Sequence, residues 1–94
     1  MKVKIIISPN TKKKYRVIFP NGKKVDFGAK GYEDYTTHND PKRKQNYLAR
    51  HATRENWLDE ETAGFWSKWL LWNKTTLEDS AKDIKKIFGI ELYN

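Results

Sequence analysis

The stretch Tyr15-Arg16-Val17-Ile18-Phe19-Pro20-Asn21-Gly22-Lys23-Lys24-Val25-Asp26-Phe27 decides the fold. Two runs rich in β-branched and aromatic side chains flank Pro20-Asn21-Gly22, where Asn and Gly tolerate the positive φ of a tight turn. Residues 15–19 and 24–27 therefore predict paired antiparallel strands. In the second, Val25 and Phe27 face one way and Lys24 and Asp26 the other, the alternation of a sheet with one wet face. Upstream, Lys2 to Ile7 is rich in Val and Ile and stops at Pro9-Asn10. It makes a third strand, and residues 1–30 read as a three-stranded antiparallel meander.

Beyond the meander the pattern changes. From Gly28 to Asn39 no period of 2 or 3.6 holds, so residues 31–40 read as a loop carrying the rings of Tyr32, Tyr35 and His38. Asp40-Pro41 then starts a helix: Asp accepts free amide hydrogens of the first turn and Pro fits the first helical position. This helix is expected to run from Pro41 to about Thr53. Asp59, followed by Glu60 and Glu61, predicts a second helix through Phe65 to Trp72. Thr76 and Asp79 resemble a capping box; Ala81, Ile84, Ile87 and Phe88 form an apolar stripe, and Gly89 suits a left-handed helix end. The fold class is thus α+β, a three-stranded meander followed by three short helices, with residues 41–94 as the helical part.

Length and composition set the limits of this reading. At 94 residues the chain builds one core, hence one domain over residues 1–94. Aromatics make up 14%, with four Trp, so large rings must compensate for few aliphatics. The absence of Cys excludes disulfides, a thiolate zinc site and a cysteine nucleophile. The three-isoleucine run near the start is too short for a signal peptide or a membrane span, so a soluble, non-secreted protein is expected, and the glycosylation triplet Asn73-Lys74-Thr75 is discarded.

Charge points to a partner. The net charge is +7, and residues 1–54 carry 14 Lys/Arg against 4 Asp/Glu, while residues 55–94 carry 5 against 8. A polyanion-binding surface in the first half fits this asymmetry; the bland alternative is a solubility surface. The first helix concentrates Lys42, Arg43, Lys44, Arg50 and Arg54, and at helical spacing Arg43, Tyr47, Arg50 and Arg54 share a side. Arginine forks suit phosphate oxygens, and Tyr47 could stack or hydrogen-bond beside them; otherwise Tyr47 belongs to the core. Lys12, Lys13, Lys14, Arg16, Lys23 and Lys24 form a second cluster on the hairpin turns and strand face, extending the footprint or merely protecting an edge.

Three Trp fall in seven residues, with Phe65, Trp69 and Trp72 on one helical face and Trp66 adjoining. Most of this stripe must be core, but its width suggests a homodimer interface formed by Phe65, Trp66, Trp69 and Trp72. Catalytic candidates are sparse: His38 with Asp40, and His51 with Glu55. Either pair could bind a metal or move a proton, but structural roles are the better reading, and no metal or cofactor is expected.

The runs Tyr35 to Lys44, Tyr47 to His51, Arg54 to Trp57 and Gly64 to Lys74 resemble a family of short uncharacterised proteins of nucleocytoplasmic large DNA viruses, of marseillevirus and chlorella virus type. The resemblance covers roughly residues 32–80. It implies a DNA-rich setting in the host cell: a virus factory, the nucleus or the virion. The leading expectation is a non-enzymatic DNA-binding or DNA-packaging accessory protein, dimeric, holding double-stranded DNA by its phosphates without strong sequence specificity, and taking no membrane or small-molecule substrate. The rivals are a structural protein docking through its Trp-rich helix, and a small metal-dependent nuclease using His38, Asp40, His51 and Glu55.

Overall fold

The computed structural model describes residues 1–94 and shows an α+β fold. Strands β1 (Lys2–Ile7), β2 (Lys13–Ile18) and β3 (Lys24–Ala29) form the expected meander. The register sets Ile5 opposite Val17 and Val17 opposite Val25, so one face collects apolar side chains across all three strands. Val3, Val17 and Phe27 on that face are completely buried. On the other face Lys4, Ile18 and Lys24 form a row toward solvent.

The helical elements are α1 (Tyr35–His38), α2 (Pro41–His51), α3 (Ala63–Trp66) and α4 (Leu77–Phe88), and a last strand, β4 (Glu91–Tyr93), follows. β4 lies parallel to β1, giving the order β3-β2-β1-β4. The expected order of three strands and three helices therefore lacks two elements. α1 is a single turn capped by Asp34, whose carboxylate accepts from the Thr36 amide while Thr37 bonds back to the Asp34 amide. Such a turn is held by its cap and carries no apolar period.

Helix α2 begins as expected, with the Asp40 carboxylate accepting from the Lys42 and Arg43 amides. In α4, Thr76 accepts from the Asp79 amide, Glu78 and Asp79 lie in the first turn, Lys85 and Lys86 in the last, and Gly89 closes the helix at φ 69°. Ile84 is fully buried and Phe88 packs against the core, but Ile87 is half exposed on the flank.

The middle helix departs most from expectation. Asp59 does not cap it; the Trp66 indole donates to the Glu60 carbonyl at 2.7 Å, which keeps residues 59–62 in a turn, and Thr62 caps α3 instead. Ser67–Leu71 continues α3 as a π-helical turn, closed by Trp72 N–H on the Ser67 carbonyl at 3.0 Å. The wider turn superimposes residues five apart, so Phe65 and Trp66 share a buried face with Leu70 and Leu71. An α-helical period of 3.6 would have placed Phe65, Trp69 and Trp72 together. These four residues and Ile84 fill the core between helices and sheet, with Phe27 and Phe19 beside Trp66 at ring separations of 6.1 and 6.3 Å. No helix is long and apolar enough to cross a membrane.

Candidate nucleic-acid interface

A cleft of about 540 Å³ opens between the end of the β2–β3 hairpin and helix α2. Its walls join the two basic clusters that the chain separates by almost thirty residues: Lys13 and Lys14 from β2 face Arg43 and Arg50 from α2. Tyr32, Glu33, Asp34, Glu55, Gly64 and Trp72 also line it, and buried Leu71 contributes to its floor. The hairpin can approach the floor only because Gly28, at φ +80°, carries no side chain: a Cβ there would meet Leu71 Cδ1 at 2.8 Å.

Charges in the cleft divide into committed and free. Lys14 Nζ donates to Asp34 at 2.7 Å, and both side chains are largely buried, so this lysine serves the fold. Arg43 stands 3.8 Å from Glu33, an exposed and loose pair. Lys13 and Arg50 make no ion pair, and neither does Arg54, which lies in the turn after α2 because the helix ends at His51 and not at the expected Thr53, so it leaves the helical stripe of Arg43 and Arg50. Exposed Lys12 and Lys30, bonded backbone to backbone at the hairpin's open end beside Lys13 and Ala29, extend the cationic rim, whereas Lys42 lines a separate depression on α2 with Gln45 and Leu48. Lys30 was not anticipated; its pairing with Lys12 depends on the register of β2 and β3, which spacing alone does not show.

Other expected contacts lie elsewhere. Consecutive turns of a meander fall at opposite ends of the sheet, so Lys23 and Lys24 are about 17 Å of strand away from Lys12 and Lys13. There Lys23 donates to Glu61 at 2.8 Å. Arg16 makes a forked bond to Asp26, at 2.8 and 3.0 Å, across β2 and β3. Lys44 turns inward, its Nζ donating to the Asn73 carbonyl at 2.6 Å beneath the Tyr35 ring, and burial draws its pKa down. Lys23, Arg16 and Lys44 are tied to the fold, while Lys24 is exposed and unpaired but at the far end of the sheet.

Tyr47 is a core residue and not a contact on the arginine stripe. Its ring lies between His51 and Trp72, each 4.3 Å away, and is stacked nearly parallel to the indole. His38 continues the ladder on the far side of Trp72 at 5.2 Å, and Tyr35 follows. Burial pushes the Tyr47 phenol up to about 12, nearby Glu55 adding to the rise, so the hydroxyl stays neutral. The ladder clamps α2 to the π-turn and consumes Trp72. Phe65 and Trp66 are fully buried, and the Trp69 indole donates to the Trp57 carbonyl at 2.7 Å. The fold thus covers the aromatic stripe proposed as a dimer interface; only parts of Trp69 and Trp72 reach the surface.

The acid–base candidates are also placed. His38 Nδ1 accepts from the Asp40 amide while the Asp40 carboxylate caps α2, so this pair shapes the loop. His51 Nδ1 is 3.7 Å from Glu55, too long for a hydrogen bond. No three His, Asp or Glu side chains gather where they could hold a metal ion.

A family model described as a family of unknown function, DUF5754, matches residues 3–51, just over half of the chain. The chain belongs to DUF5754. The DUF5754 match runs from β1 to the last residue of α2 and so includes both walls that carry Lys13, Arg43 and Arg50. Neither a curated protein nor a solved structure matches the chain.

Proposed function

We propose that this protein binds nucleic acid through the phosphate backbone, non-enzymatically and without strong sequence specificity, with duplex DNA as the principal polyanion. The observation that carries this reading is the convergence of Lys13, from the hairpin, with Arg43 and Arg50, from α2, on one open cleft. Exposed Lys12 and Lys30, adjoining Lys13 and Ala29, and Arg54, adjoining Glu55, add positive charge beside it. Unpaired exposed cations of this kind gain by replacing condensed counterions on phosphates, whereas Lys14, Arg16 and Lys23 already have carboxylate partners. The resemblance of residues 32–80 to proteins of large DNA viruses supports a DNA-rich setting, as an accessory or packaging protein of the virus factory, nucleus or virion.

A gel-shift titration on random duplex DNA, with and without Mg²⁺, tests the reading. Counterion release gives about −0.9 in log affinity per log salt for each phosphate neutralised, so the available cations predict a slope of about −3 to −5. An affinity flat between low and physiological salt would refute it, and Mg²⁺-dependent cleavage would replace it with the nuclease.

A further inference from the structure

Resting on that reading, we infer that the cleft itself takes one unpaired nucleotide of a single strand, while the rim holds the flanking phosphates. A volume of about 540 Å³ lies in the range of pockets for small organic groups, and a duplex cannot enter it. The furnishings match the base and the phosphate of a nucleotide. Tyr32 lines the cleft and is 74% exposed, a stacking platform of the kind single-strand binders present to bases. Lys13 and Arg50 supply cations without ion-pair partners for a phosphate.

Glu55 supplies the discriminating group. Its carboxylate lies inside the cleft against Gly64, where a Cβ would collide with its Oε2, and its nearest charge partner is His51 at 3.7 Å. A carboxylate so placed among cations would weaken a site meant for phosphate alone. It accepts hydrogen bonds from the amino group of a base, as Glu and Asp do from cytosine N4. Thymine differs from cytosine there by offering a carbonyl, which the carboxylate repels. Lys14 and Asp34, bound to each other, contribute no net charge. The cleft therefore favours amino-bearing bases over thymine.

The test is fluorescence anisotropy at physiological salt with labelled dC12, dT12 and a blunt hairpin duplex, on the wild type, Tyr32→Ala and Glu55→Gln. The wild type is expected to bind dC12 more tightly than dT12. Tyr32→Ala, at an exposed position, should weaken both single strands about 5- to 100-fold and leave the duplex unchanged. Glu55→Gln should remove the preference for dC12 while keeping dT12 binding. If Tyr32→Ala changes single strand and duplex alike, or neither, the cleft assignment is overturned while salt-dependent phosphate binding stands. If no nucleic acid binds at all, both readings fall. Displacement of dC12 by micromolar dCMP would transfer the cleft to free nucleotides and overturn the assignment to a strand.

Discussion

Gly64 shows how one missing methyl group shapes the cleft. It lies within α3 at an ordinary helical φ, so alanine there would favour the helix by about 1 kcal/mol. The same methyl would displace the Glu55 carboxylate, the end of a flexible side chain. Gly64→Ala is accordingly expected to melt within a few degrees of the wild type yet lose discrimination between dC12 and dT12. Melting curves and anisotropy on one sample check both halves, and an unchanged discrimination would show that Glu55 does not read the base. None of this is visible at the level of spacing, because Glu55 and Gly64 meet through the turn at residues 59–62. Tyr47 teaches the converse. Helical spacing placed it on the arginine stripe, and its neighbours in sequence cannot reveal that Trp72 stacks on it from another element.

Among the elements, those with local signals were legible: the Pro20-Asn21-Gly22 hairpin, the Asp40-Pro41 start of α2, and the Thr76 and Gly89 ends of α4. Those that depend on distant partners were not. β4 is three residues long and exists because β1 accepts it, and the π-turn exists because two adjacent pairs, five residues apart, must face one core. The cross-strand tie between β2 and β3 has a measurable pH signature. The Arg16 guanidinium, through its hydrogen bond, holds the Asp26 carboxyl below its usual value, with Ser8 adding a second donor. A depressed folded pKa stabilises above the unfolded value of about 3.9 and fades as pH falls through the folded one. Thermal melts between pH 2 and 7 should therefore show Asp26→Asn less stable than the wild type at neutral pH, with the gap narrowing below about pH 4. A gap constant down to pH 2 would mean that the arginine contributes nothing specific to the folded state.

For the whole molecule, the imbalance between a basic first half and an acidic second half becomes spatial. Unpaired Lys13 and Arg50 line one cleft, and acids of the second half meet lysines elsewhere, as Glu91 meets Lys2 and Lys85. Arg50 and Arg54 have no such partners, so replacing both by Ala should leave the melting temperature unchanged and weaken all duplex sequences about equally. The salt slope should become shallower by about 1.8. Loss of folding in that variant would reveal internal partners and remove α2 from the binding face. The parallel pairing of β1 with β4 carries a different consequence, for the chain during its synthesis. Antiparallel hairpins zip from neighbours, but the outer edge of β1 at Lys2, Val3 and Lys4 waits for residues 91–93. Until the ribosome has delivered them, the nascent meander shows a bare backbone edge from Lys2 to Lys4, a template for pairing with another chain. A segment made some ninety residues later is thus the one that seals the first half of β1.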